Sequence, residues 1–152
     1  MQIKIGAFQW AFILILGWTP VHAQKAKGKP NFRGQLTANY HQNGAKPSKG
    51  KGAPLATSIY IYEPTQVAQL DTLLHDRFTR KISSRQVATL KSDSKGFFQI
   101  RLKPGKYSLF VQFEGAYYIP YFSGSQWVSL FEVSSNGVTE MDLKVYSKDS
   151  YQ

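Results

Sequence analysis

Asp93-Ser94-Lys95-Gly96, Phe97-Phe98-Gln99-Ile100-Arg101-Leu102, Lys103-Pro104-Gly105-Lys106 and Tyr107-Ser108-Leu109-Phe110-Val111-Gln112-Phe113 follow one another without a break through residues 93–113. Side chains alternate across a strand, so Phe98, Ile100 and Leu102 share one face of a first strand, and Tyr107, Leu109, Val111 and Phe113 share one face of a second. Pro104 presets a turn angle and Gly105 accepts a positive φ, so the spacing predicts a hairpin between them. Asp93 and Gly96 carry the same turn chemistry one strand earlier, which extends the prediction to a meander.

Working outward, residues 87–91 read as the strand that leads into this meander. In residues 57–63, Ile59 and Ile61 point one way and Tyr60 and Tyr62 the other, the mark of a central strand covered on both faces. Phe32, Gly34, Leu36, Ala38 and Tyr40 alternate with Arg33, Gln35, Thr37 and Asn39, which predicts a first strand with one wet face. Between these two strands, residues 44–54 are rich in Gly, Pro and Ser and read as a long loop. Over residues 65–76, Val67, Leu70, Leu73 and Leu74 fall three and four apart, with Thr65 placed as an N-cap and Pro64 just before it, so the periodicity predicts a short helix within an insertion over residues 65–86. Downstream, residues 128–133 and 139–146 finish the sheet, with Asn136-Gly137 as a hairpin signal between them. Met141, Leu143 and Val145 face the core, and Glu140, Asp142 and Lys144 face water.

A turn of the form Asp-x-x-Gly-Phe (Asp93, Gly96, Phe97), a strand, then Pro-Gly-x-Tyr (Pro104, Gly105, Tyr107) and another strand resembles the carboxypeptidase regulatory-like domain, a transthyretin-like fold. Ala53-Pro54-Leu55 behind Gly52 is similar to the Gly-x-Pro-Leu that leads into the second strand of that family. The resemblance covers residues 32–146 and implies an all-β, antiparallel β-sandwich of about seven strands with one short helical insertion. Compact members have a shorter connection where this chain has residues 65–86. In that family the module accompanies a peptidase or an outer-membrane transport protein, so the resemblance implies a non-catalytic unit that binds or scaffolds. The same fold includes a hydrolase of a purine-degradation intermediate. Its pattern of two histidines, an Arg and a C-terminal Tyr-Arg-Gly-Ser is unmatched by Lys148-Asp149-Ser150-Tyr151-Gln152.

Ahead of the domain, Lys4, the apolar run through residues 11–16 and Val21-His22-Ala23 read as a secretory signal peptide over residues 1–23, too short in its apolar part for the ~20 residues that span a bilayer. The mature chain is therefore expected to be secreted or periplasmic, with no transmembrane segment. Residues 24–31 read as a mobile basic tail and 147–152 as a C-terminal tail. The absence of cysteine leaves stability to an apolar core, and the absence of an Asn-x-Ser/Thr sequon fits a bacterial envelope protein.

The formal net charge is +10. Lys25, Lys27, Lys29, Arg33, Lys46, Lys49 and Lys51 precede Tyr62 with no acidic residue among them. Such a stretch is either a contact for an anionic surface, with Lys46, Lys49 and Lys51 as candidates, or a solvated loop that keeps the chain soluble. Export and the lack of interleaved aromatics argue against nucleic acid.

Tyr117, Tyr118, Tyr121 and Trp127 lie in a dense aromatic segment and are candidate contacts for a partner or for sugar rings, against the alternative that they close the core. No set of residues is spaced for catalysis, metal or cofactor. His41 and His75 stand alone, and Asp93 lacks the alternating ligands of a calcium loop. The function expected is an exported protein-interaction or scaffolding module for an envelope protein. The alternative is a carbohydrate-binding protein using residues 117–127. Sandwich edges leave homodimers through edge strands open.

Overall fold

A computed structural model of the chain describes residues 28–39 and 52–148. The expected signal peptide, residues 24–27 of the tail, Tyr40, His41, the candidate anion contacts Lys46, Lys49 and Lys51, and residues 149–152 lie outside the described residues. The strands are β1 (Phe32–Asn39), β2 (Ala53–Pro54), β3 (Ser58–Tyr62), β4 (Thr65–Gln66), β5 (Phe78–Thr79), β6 (Gln86–Lys91), β7 (Phe97–Ile100), β8 (Gly105–Phe113), β9 (Ala116–Tyr118), β10 (Phe122–Ser123), β11 (Trp127–Val128), β12 (Leu130–Val133), β13 (Thr139–Glu140) and β14 (Leu143–Tyr146). The long ones, β1, β3, β6, β7, β8, β12 and β14, match the strands predicted from alternation. The others are pieces of two or three residues that the alternation does not reveal.

Two sheets face each other across an apolar core. In sheet 1, β1 is central: β7 and β2 pair antiparallel with it on one side, while β13 and β14 pair parallel with it on the other. In sheet 2 the order is β5-β9-β8-β3-β6, with β12 beside the first half of β8. The parallel β1–β14 pair departs from the all-antiparallel expectation.

The turn residues form turns, but not hairpins. Asp93 Oδ1 accepts from the backbone N–H of Lys95 and of Phe97, both at 2.9 Å, which closes an Asx-type turn. That turn carries the chain from β6 in sheet 2 to β7 in sheet 1. Residues 101–104 carry it back to β8 in sheet 2, so the predicted hairpin at Pro104-Gly105 is an arch and the predicted meander is a strand lent to the opposite sheet. The hairpin predicted at Asn136-Gly137 is likewise an arch, from β12 in sheet 2 to β13 in sheet 1. The physical reason is common to all three. Two alternating runs joined by a turn bury their apolar residues equally well as neighbours or as opposite walls of one core, so distant partners decide.

Here those partners are aromatic. Phe32 of sheet 1 stacks on Phe131 of sheet 2 with centroids 4.5 Å apart and touches Phe98 at 5.6 Å. Phe32, Leu36, Ile59, Ile61, Leu109 and Val111 are fully buried in this core. Two glycines on or against β1 allow the packing. A Cβ on Gly34 would lie 1.8 Å from the Met141 carbonyl oxygen and 2.8 Å from the Phe98 ring. Gly96 has φ +76, and a Cβ there would lie 2.2 Å from the Leu36 carbonyl oxygen, while its own oxygen accepts from Leu36 N at 2.8 Å.

The helical part of the insertion is one 3-10 turn over Val67–Gln69, shorter than the periodicity over residues 65–76 predicts. Thr65 is not an N-cap. It is a fully buried strand residue whose N–H donates to Ser108 Oγ at 2.9 Å and whose hydroxyl donates to the Glu63 carbonyl at 2.8 Å. Leu70 is extended, at φ −89 and ψ 153, and bridges to Ile82, while Leu74 bridges to Phe78. His75 and Asp76, at φ 48 and 58, end any continuation of a helix.

Gly34→Ala is expected to lower the stability of the protein by roughly 1–3 kcal/mol, because backbone and ring must both retreat. Gln99→Ala on the outer face of β7 is expected to stay within about 0.5 kcal/mol. Urea midpoints of the two variants check this.

Candidate functional site

The two outer faces of the sandwich differ. Behind sheet 2 lies a second apolar cluster of Tyr62, Leu70, Phe110, Ile119 and Val128, with Tyr60, Val67, Leu73, Ile82, Tyr117 and Phe122 packed against it. The insertion and the aromatic segment build this cap together through a small sheet in which β11 pairs with β10 on one side and with β4 on the other. The alternation in β3 is thereby explained: Ile59 and Ile61 enter the main core, and Tyr60 and Tyr62 enter the cap.

Polar pins hold the cap. Thr79, fully buried, donates its hydroxyl to Asp71 Oδ1 at 2.5 Å, and Arg80 N–H donates to the same oxygen at 3.2 Å. These bonds, the Thr79 hydroxyl first, hold the Asp71 carboxyl below its usual range. Arg77 donates to the Pro120 carbonyl at 2.8 Å and lies over the Phe122 ring at 5.6 Å. Ser129, buried at φ 43, takes the chain from β11 to β12, and its N–H and hydroxyl both donate to the Tyr121 carbonyl at 2.9 Å.

The four aromatic candidates are therefore engaged in the fold, Tyr117 in the cap and Tyr118 in the main core. Tyr118 is fully buried, edge-on to Phe78 at 5.1 Å, so it presents nothing to a ligand. Tyr117 is half-buried and meets Tyr60 edge-on at 5.2 Å. Tyr121 is half-buried, and its hydroxyl donates to the Leu130 carbonyl at 3.1 Å. Trp127 is half-buried on β11, opposite Gln66 and Ser123. Tyr117 and Tyr118 are neighbours on β9 and so point to opposite faces, Tyr121 lies in the connection before β10 and Trp127 on β11, so the four are not set out as one flat platform.

The outer face of sheet 1 carries no such cap among the described residues. Arg33, Gln35 and Thr37 of β1 stand beside Glu140, Asp142 and Lys144, with Phe97 and Gln99 of β7 on the other side. Phe97 and Tyr146 are 40% and 37% exposed, two of the three large apolar side chains that are exposed among the described residues. Arg33 and Glu140 form an ion pair, and Asp142 Oδ1 accepts from Gln35 N at 3.1 Å. A cleft of about 510 Å³ opens here, lined by Gln35, Thr37, Gly52, Pro54, Asp142, Leu143 and Lys144. It offers an amide, a hydroxyl, a carboxylate and an ammonium within one open wall, the chemistry of a polar interface. Alternation assigns Gln35, Thr37, Asp142 and Lys144 to a wet face. That they share a single wall depends on the parallel β1–β14 pairing, which has no local signal.

Every buried side-chain nitrogen and oxygen among the described residues has a hydrogen-bond partner. Among those residues no helix is long and apolar enough to cross a membrane, and no three His, Cys, Asp or Glu side chains are grouped to hold a metal ion. His75 is exposed at the turn before β5. No family model, curated protein or solved structure matches the chain.

Burial pushes the Tyr121 hydroxyl up to about 12 and raises Tyr62 as well. A raised phenol favours the neutral folded state, so the stability it contributes is intact below pH 10 and is lost as pH rises from 10 through 12. Tyr121→Phe is expected to flatten that alkaline loss, read from thermal midpoints across the window.

Proposed function

We propose that this chain is an exported, non-catalytic β-sandwich module that binds or scaffolds an envelope protein through the open outer face of sheet 1. The observation that carries the reading is the asymmetry of the sandwich: an insertion with its own apolar cluster seals one outer face, while the other keeps Phe97 and Tyr146 exposed among polar side chains. Aromatic rings set in a hydrogen-bonding surround are the composition of a protein contact surface. Export rests on the charge, apolar run and small-residue end of residues 1–23. The membership proposed is the carboxypeptidase regulatory-like family. It is supported by the Asp93 turn, the Pro104-Gly105 connection and the long strands over residues 32–146, now arranged as two facing sheets.

The carbohydrate reading keeps one supporting observation, that Tyr117, Tyr121 and Trp127 are half-buried rather than enclosed. The loss of Tyr118 to the core and the separation of the other three set it second.

A photo-crosslinking residue placed singly at Thr37, Gln99 or Lys144 of the full chain, in the producing cell, is expected to give a discrete heavier adduct. The same residue at Arg80 in the cap is expected to give none. Equal adducts at Arg80, or none at any position, would overturn the reading. Binding of a glycan by the wild type that disappears in a Trp127→Ala/Tyr121→Ala double variant would move the function to the cap.

A further inference from the structure

We propose that the end of the sandwich where β1 and β8 begin is a docking surface for an anionic lipid bilayer. The chain zippers residues 29–31 against 100–102 here. Asn31 Nδ2 donates to the Leu102 carbonyl at 2.9 Å, Leu102 N–H donates to Asn31 Oδ1 at 2.8 Å, and Arg101 Nη1 donates to the Lys29 carbonyl at 2.8 Å. Lys103 lies on the same arch, its carbonyl accepting from the Tyr107 hydroxyl at 2.7 Å, and Lys106 is the second residue of β8 just beyond it.

Lys29, Arg101, Lys103 and Lys106 are all exposed. Among the described residues the ion pairs are Arg33–Glu140 and Arg85–Glu63, so none of these four cations is neutralised by a carboxylate in contact. The acid nearest in the strand register is Glu132, opposite Lys106. Lys25 and Lys27 precede this end in the chain.

A second observation separates a bilayer from a soluble polyanion. Val138 is 47% exposed, the most exposed of the large apolar side chains among the described residues. It sits at this end, because the next residue, Thr139, donates its N–H to the Asn31 carbonyl at 2.8 Å. Cations around an apolar tip fit a headgroup layer with acyl chains beneath it: the charges attract the anionic surface and the tip enters the boundary. The open face of sheet 1 is a separate surface, with Phe97 at the far end of β7 from Arg101.

The test uses the protein purified in the form the cell exports, sedimented with vesicles of phosphatidylcholine alone and of phosphatidylcholine mixed with phosphatidylglycerol. Binding is expected only with phosphatidylglycerol, and it is expected to weaken as salt is added. Lys103→Gln/Lys106→Gln is expected to reduce it at least roughly tenfold, while Arg80→Gln/Lys81→Gln in the cap leaves it unchanged. All variants are checked for unchanged circular dichroism. Val138→Ser is expected to weaken vesicle binding and to leave retention on heparin unaltered. Equal binding to neutral vesicles, no loss in the Lys103→Gln/Lys106→Gln variant, or a Val138→Ser variant that binds vesicles as tightly as wild type would each overturn the proposal. The last outcome would leave a soluble polyanion as the ligand.

Discussion

The close approach of three backbones around Leu36 is the constraint on which the rest of the structure depends. Gly34 lets the chain at Met141 lie against β1, and Gly96 lets the turn before β7 lie against the Leu36 carbonyl. With both in place β1 accepts strands on each side and drives Phe32 and Leu36 into the core with no residual exposure. Side chains at either glycine would hold the neighbouring backbone off by more than hydrogen bonding tolerates. Sheet 1 therefore exists because two positions carry no side chain, and the packing of Phe32 on Phe131 follows from it.

Sheet 2 is organised by a different means. Its central strands β3 and β8 are apolar on both faces, since Leu109 and Val111 point to the main core and Phe110 to the cap. A strand buried on both sides obliges something to cover the second side. The insertion over residues 65–86 and the aromatic segment do so with one 3-10 turn, a few bridges and buried hydroxyls at Thr65, Thr79, Ser108 and Ser129. Short strands with satisfied polar groups are sufficient because the apolar cover, rather than their own ladders, supplies most of the stabilisation.

What was legible in the sequence was local. Alternation located the long strands and the two-sided character of Ile59, Tyr60, Ile61 and Tyr62, and Asp93 did form the turn its side chain favours. Long-range choices were not legible. Pro104-Gly105 and Asn136-Gly137 have hairpin chemistry but serve arches, because the apolar faces they join meet across the core rather than along a sheet. The three-and-four spacing of Val67, Leu70, Leu73 and Leu74 imitated a helix; in the fold it reflects an irregular segment that dips repeatedly into the cap. For the surfaces, the aromatic density of residues 117–127 marked a place of high packing. The open wall of Gln35, Thr37, Asp142 and Lys144 had only its wet alternation to announce it, split between two ends of the sequence.

The parallel pairing of β1 with β14 has a consequence for how the molecule is made. The contact between Thr37 and Leu143 joins residues 106 apart, and sheet 2 is drawn from the stretch between them. As the chain emerges from its N-terminus, β3, β6, β8, β9 and β12 are all available before β14 exists. Sheet 1 stays without β14 until residues 143–146 arrive, and Leu143 and Val145 then close the core like the last stave of a cask. Closing so long a loop adds little to the equilibrium, since each doubling of loop length costs only about 0.6 kcal/mol, but it weighs on the rate, because non-local pairs form late and slowly. A chain of this topology is slow to become native, and until β14 arrives the apolar face of sheet 2 waits with only part of its opposite wall in place.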